Sequence, residues 1–531
     1  MKLLNRQLFI QIFKSSNEKW LFLLICIVNL YPILTDAFFV TMDGAAHLYN
    51  SNLIGSLLID KNTVLDSYFT FNPELVPNWS GHLILSFLNY FLPSFLAEKC
   101  LLVGILILLP YGFRGLLKTI APDNGGLSYL IFPFTYSFMF ILGFYNFLIG
   151  LIFLLFALNF WVRNCKQIGS FKNVSILFIL LSGTYFSHIL VFSILLLLIV
   201  IHILLHALFD LVVRKRSFKE VFFNGIKSAL FVFFAAGIPL YFFVNYFLAR
   251  QELGTEVFLP LSDLVENILH FRPINTYSFE QEGQYSTIMF LLMCLLLAIG
   301  MVRNIVDLKK RNFVFEWSVV SCFMFIAAIS IVTLYFILPD SNSHGAVISI
   351  RLNYLFFVFF LLWISTFKIH KYFLFWGVII SLFCSFKLNE YKHEVISFVS
   401  PIADECYAQS KYIKANSTVF TLNASDIWFV GHASNYCAVD KPLILTDNYE
   451  CTLNYFPLSW NREAFPVISE PCALPTFCSK RKLRIADYAL VVGDLSAKTD
   501  SCNMRLKNEI DSNYRVINKL QHTILYKKKL P

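Results

Sequence analysis

Trp79-Ser80-Gly81-His82-Leu83-Ile84-Leu85-Ser86-Phe87-Leu88-Asn89-Tyr90-Phe91-Leu92-Pro93-Ser94-Phe95 decides how this chain lies against a membrane. Counted as a crossing, the segment would put Arg163, Lys166 and the cluster Arg214, Lys215, Arg216 and Lys219 on the outer side. Laid in the membrane surface, it puts all of them inside, together with Arg114, Lys118, Lys309, Lys310, Arg311, Lys368 and Lys371. Lys and Arg collect in cytoplasmic loops, so the segment is read as interfacial or re-entrant. About 20 apolar residues cross a hydrocarbon core. About eleven segments then span: 20–40, 96–114, 127–143, 145–162, 171–187, 190–212, 224–246, 286–304, 313–338, 347–366 and 371–388.

Working outward from that segment, the predicted fold is a polytopic α-helical membrane domain over 1–388, with a large first outer loop at 41–95. An external α/β domain follows over 389–531. Hydrophobic residues make up 57% of the sequence and Phe alone occurs 58 times, more apolar surface than one soluble core of this length absorbs. The net charge of +9 sits in clusters between apolar runs, which reads as membrane orientation and excludes nucleic acid as the partner. Lys2, Arg6, Lys14 and Lys19 precede the first run, and no small-residue cleavage site follows it. Residues 20–40 therefore read as a signal anchor with a cytoplasmic N-terminus.

In the C-terminal region, short apolar runs bounded by turn residues predict strands at Thr418–Leu422, Leu443–Thr446, Tyr488–Val492 and Thr523–Tyr526. Cys406, Cys437, Cys451, Cys472, Cys478 and Cys502 fall there. An external domain permits disulfides, with Cys472 and Cys478 as the local pair, and buried free thiols are an equal reading.

Candidate chemistry begins directly after the first span, at Thr41-Met42-Asp43-Gly44-Ala45-Ala46-His47-Leu48-Tyr49-Asn50. On a helix, Asp43 and His47 stand one turn apart on one face. A carboxylate at a membrane exit suits a general base acting on a substrate that reaches up from the bilayer; the same Asp also suits a helix N-cap. Pro77-Asn78-Trp79-Ser80-Gly81-His82 adds an interfacial Trp and a second histidine. Asp43, His47 and His82 form a metal set in principle, but their spacing does not single one out. The cofactor stays open, with a divalent metal not favoured. Gly143-Phe144-Tyr145-Asn146-Phe147 and Ser187-His188 break apolar runs at outer corners, offering Tyr145, Asn146 and His188 as binding groups or as partners for helix ends. Arg351 opens a span as Ile350-Arg351-Leu352-Asn353-Tyr354, with His344 in the turn ahead of it. A cation there pairs, faces a polar cavity or snorkels to headgroups, and its planar fork matches phosphate. Arg250 and Arg272 are loop alternatives. In Gly431-His432-Ala433-Ser434-Asn435-Tyr436, His432 and Asn435 could hydrogen-bond a sugar and Tyr436 could stack on one; an ordinary turn between strands fits equally. No glycine-rich phosphate loop, His-Glu-x-x-His motif or nucleophile elbow is present.

A first span, an immediate outer-loop Asp, an interfacial helix, many further spans and an external C-terminal domain together resemble the GT-C superfamily of membrane glycosyltransferases. Gly431–Tyr436, Lys441-Pro442 and Asp447-Asn448-Tyr449-Glu450 look like the C-terminal part of uncharacterised bacterial members. The resemblance implies a bacterial inner-membrane enzyme, inverting at the anomeric carbon. It would take a hexose or pentose from a polyprenyl-phosphate donor and pass it to a glycan, lipid or protein acceptor. Asp43 matches the first-loop Asp that acts as base or positions the acceptor, and Arg351 falls where such enzymes place a phosphate-binding cation. Two departures stand out. Gly44 occupies the position of a second acid in many relatives, and Asn146 lies near where some place another carboxylate. With fewer acids, a transporter or lipid-carrier binding protein without catalysis is the alternative.

Overall fold

The computed structural model describes residues 16–165, 169–249, 256–310, 318–341, 345–465, 480–498 and 501–529. The chain forms two compact units: one of residues 1–31, 105–139 and 147–392, the other of 32–104, 140–146 and 393–531. Among the described residues, eight helices are long and apolar enough to cross a membrane: Ser94–Ile120, Tyr145–Asn164, Ile189–Val212, Phe218–Leu248, Phe279–Val306, Val319–Ile337, Ile348–Ser365 and Lys371–Tyr412. The polytopic helical fold class holds, and these eight helices correspond to eight of the eleven expected spans.

Three segments account for the difference. The first is the helix Ser16–Val28, which stops short of the expected 20–40 span and is followed by a separate turn of helix at Tyr31–Leu34. The second is Phe171–Ser187, an apolar helix of 17 residues at the short end of the spanning range. The third, 127–143, is not an α-helix: Pro122–Phe134 runs in 3₁₀ turns, and a short helix follows at Phe138–Ile141. Pro133 lies inside these turns and removes a backbone donor there. Irregular backbone survives at membrane depth only where protein surrounds it, and Leu127–Phe134 are buried without a break. Hydropathy registered the apolar run but not its packing. The opening segment folds as the helix Ser80–Phe91; its twelve residues reach about 18 Å, well short of a ~30 Å hydrocarbon core.

Inside the first unit, one buried ion pair anchors a helix start. Glu282 accepts from the backbone amides of Thr276, Tyr277 and Ser278 and from the Thr276 hydroxyl. Lys392 Nζ stands 3.4 Å from the same carboxylate.

The second unit carries a five-stranded sheet, β2 (Thr418–Asn423), β3 (Ile444–Leu445), β5 (Tyr488–Val492), β6 (Tyr514–Lys519) and β7 (Thr523–Lys528), in the order β3-β2-β5-β7-β6. β2 runs parallel to β3 and β5, and β7 is antiparallel to β5 and β6. β5 is buried throughout and β2 over Thr418–Leu422, as strands covered on both faces are. Phe420, Leu422, Val491, Leu506 and Ile510 form the core beneath them. All four expected strands are present. A second, two-stranded sheet joins β1 (Phe69–Phe71) antiparallel to β4 (Leu458–Trp460). Phe69 stacks on Trp460 at 4.6 Å between centroids, and Tyr68 on Phe465 at 3.9 Å. Residues of the first loop and of the C-terminal region thus share one sheet. Cys406, Cys437 and Cys451 are free and buried; Cys472 and Cys478 lie outside the described residues.

Candidate functional site

Asp43 stands at the N-cap position of the helix Gly44–Leu58, yet its side chain makes no capping hydrogen bond. The carboxylate instead faces His432, with Oδ1 3.7 Å from Nε2. Backbone pairing fixes the turn: Met42 and Asp43 donate to the carbonyls of Ile141 and Leu142. Gly143 completes it at φ +77°, where a Cβ would come within 2.9 Å of the Asp43 and Gly44 nitrogens. Only glycine fits both the conformation and the space.

Burial pushes the Asp43 pKa above its usual value, against the opposing pull of His432 and His47. Tyr449 stacks on His432 at 4.5 Å between centroids. Its hydroxyl is close enough to act on Asp43 electrostatically but is outside hydrogen-bond geometry.

His47 and His82 converge, but on Glu450 rather than on Asp43. His47 Nδ1 is 2.8 Å from Glu450 Oε1 and His82 Nε2 is 2.7 Å from Oε2. All three side chains are almost wholly buried. Burial alone would raise the Glu450 pKa, but the two imidazoles outweigh it and bring it down to about 2. For His47, burial opposes the charged form, and the Glu450 carboxylate prevails and raises the pKa. The helix that carries His47 is tied further to C-terminal residues. Asn50 and Asn448 exchange amide hydrogen bonds of 3.1 and 2.8 Å, and the Tyr49 hydroxyl donates to Leu443 O and accepts from Leu445 N.

Beneath Asp43 lies a second carboxylate that the sequence reading passed over. Glu98, on the helix Ser94–Ile120, accepts from the Tyr145 hydroxyl at 3.3 Å and from the Tyr436 hydroxyl at 3.2 Å. Tyr145 also bonds Thr41 Oγ1 at 2.7 Å. The available signal was an acid in the first turns of an otherwise apolar span, which is costly without a purpose. Glu450 lay inside a quoted segment, but its partners are hundreds of residues away and leave no local trace.

The other expected residues take these places. Asn146 bridges the start of the helix Ser80–Phe91, accepting from Gly81 N at 2.7 Å and donating to Asn78 O at 3.1 Å. Tyr436 is buried with its ring against Phe38, and Asn435 is buried beside it in the 3₁₀ turn Ala433–Ala438. In the other unit, His188 is buried between two helices with its ring edge-on to Phe147. Arg272 donates to Asn275 O at 2.9 Å and lies 3.9 Å over the Phe138 ring. Arg351 is half-buried in the first turn of Ile348–Ser365 and donates to Ala346 O at 2.7 Å. His344 and Arg250 lie outside the described residues.

No family model matches the sequence, and no curated protein matches it. Among solved structures, the crystal structure of ArnT from Cupriavidus metallidurans bound to undecaprenyl phosphate aligns with a TM-score of 0.53. The alignment covers 96% of this chain and 98% of that one at 10% identity. At that identity the likeness is one of fold: a mostly helical, ArnT-like fold with a C-terminal sheet-containing region.

Proposed function

We propose that the chain is a membrane glycosyltransferase that moves a sugar from a polyprenyl-phosphate carrier to an acceptor hydroxyl on the outer face, with Asp43 as the base. The observation that carries this reading is a buried Asp43 carboxylate that is released from capping its own helix. The ArnT-like fold supports it. In the proposed step the acceptor oxygen attacks the anomeric carbon while Asp43 takes the hydroxyl proton. The bond from that carbon to the phosphate oxygen breaks, and the lipid phosphate leaves with the electron pair. A single displacement inverts the anomeric centre. A carboxyl whose pKa is raised by burial is the stronger base once ionised. His432 sets its orientation from 3.7 Å.

Tyr449 and His432 present stacked rings beside Asp43, a surface suited to a sugar face.

The test is transfer of labelled sugar from a lipid carrier in vesicles. Asp43→Asn is expected to slow transfer by about 10²–10⁴ with donor binding retained. A wild-type rate in that variant removes Asp43 from the mechanism. Donor bound or carried across the bilayer with no product formed would instead favour a carrier protein.

A further inference from the structure

We propose that His47, His82 and Glu450 form a binding site for one borderline divalent cation, zinc by preference, which clamps the helix bearing Asp43 to the C-terminal residues. The ligand atoms lie within 4.8 Å of one another and come from three separate elements: Gly44–Leu58, Ser80–Phe91 and the turn at Glu450.

Hydrogen-bond bookkeeping favours a cation over a plain polar cluster. His82 Nδ1 lies 3.0 Å from the Asn78 carbonyl oxygen, which can only accept, so that nitrogen carries a hydrogen. In the neutral ring the Nε2 lone pair then points at Glu450 Oε2, itself an acceptor, 2.7 Å away. His47 Nδ1 faces the other carboxylate oxygen, Glu450 Oε1, 2.8 Å away. Without a cation, the His82 contact needs either a doubly protonated ring or a protonated Glu450, with the second imidazole centroid only 5.1 Å away. A single cation takes both lone pairs and the carboxylate, leaving both histidines neutral.

Metal-binding histidines characteristically donate their second N–H to a backbone carbonyl or carboxylate, as His82 does to Asn78 O. Two imidazoles and one carboxylate, with a fourth position open, match zinc and disfavour magnesium or calcium, which demand oxygen shells. Tetrahedral bonds of about 2.0–2.1 Å hold ligand atoms about 3.3 Å apart. The present separations of 2.7 and 2.8 Å thus need to open by only about half an ångström. His47 follows Asp43 by one helical turn, so the clamp would fix the position of the proposed base.

This inference does not depend on the glycosyltransferase reading, because it is measured without substrate. Full-length protein purified in lipid nanodiscs, with no chelator and no added metal, should carry close to one zinc per chain by mass spectrometry of the elements. Chelator-stripped protein should rebind one zinc in a calorimetric titration. His82→Ala and Glu450→Ala should each lower the content at least tenfold, whereas His522→Ala leaves it intact. Should the alanine variants fail to insert, His82→Cys is the second probe: a thiolate retains zinc but cannot replace a charged imidazole, so zinc is kept. Less than a tenth of an equivalent in the wild type, with no binding by the stripped protein, overturns the site in favour of a metal-free His-Glu-His network. So does zinc that survives unchanged in both alanine variants.

Discussion

Glu98 Oε1 lies 2.8 Å from the point that a Cβ on Gly44 would occupy, with Thr41 Oγ1 and the Tyr145 hydroxyl crowding the same point. A carboxylate from the helix Ser94–Ile120 thus fills the space into which an acidic side chain at position 44 would grow. Gly44 follows from that arrangement: it is the only residue that leaves Glu98 room.

Gly44→Ala should accordingly destabilise the protein by about 1–3 kcal/mol through overpacking. Glu98→Ala removes the acceptor of the Tyr436 hydroxyl, while Tyr145 keeps Thr41 Oγ1, and should cost about 1–3 kcal/mol. Their effects should not add, because removing the Glu98 side chain frees the space that the new methyl needs. A double-mutant cycle on thermal unfolding in nanodiscs measures this. Strict additivity would mean that the two residues do not share the space.

The raised pKa of Asp43 predicts the acid side of the activity profile. A base must be ionised, so transfer should fall as pH falls, with its midpoint above the ordinary aspartate value of 3.8. His432 is the largest charge holding that midpoint down. His432→Ala should move the midpoint to higher pH as well as slowing the reaction. Measured kcat/KM against pH for both proteins decides it, and an unmoved midpoint would separate His432 from Asp43.

What the sequence disclosed follows from the range of each interaction. β2, β3, β5 and β7 were legible because each is a continuous apolar run bounded by turns. β6, Tyr-Arg-Val-Ile-Asn-Lys, is a polar edge strand with a bulge and carries no such pattern. β1 and β4 are three residues each and owe their pairing to Phe69 and Trp460, which no local window joins. Asp43 could be singled out from its place after an apolar run, and His47 from its helical spacing. That His47 and His82 meet at Glu450 could not be read, because that link spans 403 residues in one case and 368 in the other. The extra span at 127–143 came from composition alone, since hydropathy does not distinguish apolar residues facing lipid from apolar residues packed inside protein.

Glu282 and Lys392 should respond unequally to substitution. Both are fully buried, and breaking a buried pair costs about 3–5 kcal/mol because one charge is left uncompensated. Glu282 keeps its four donors from Thr276, Tyr277 and Ser278 when the lysine is removed, so Lys392→Met should sit at the low end of that range. Glu282→Gln abolishes the negative charge and leaves the Lys392 ammonium without its counter-ion, which should cost more. Denaturation of the two variants in bilayers or mixed micelles compares them. Equal losses would show that the amide donors contribute nothing to holding Glu282.

Truncation after Lys392 tests how far the first loop depends on the C-terminal region. That position is the boundary between the compact units, and the second unit draws on residues 32–104 as well as 393–531. Removing the C-terminal residues deletes Glu450, the partner of His47 and His82, and Asn448, the partner of Asn50. It deletes β4, which pairs β1, and it deletes the carbonyl and amide that hold the Tyr49 hydroxyl. The helix Gly44–Leu58, with buried polar groups His47, Asn50 and Ser51 along its length, would expose those groups and lose most of its partners. Residues 105–139 and 147–392 keep their own contacts, including the Glu282–Lys392 pair. The truncated chain should therefore still insert and bind the lipid donor, while sugar transfer falls by at least about 10², the scale set by loss of a positioned base. Limited proteolysis should open new cleavage sites between residues 41 and 95, which stay protected in the full chain. Transfer at an undiminished rate, or a first loop that remains protected, would show that the C-terminal residues are not what holds Asp43 in place.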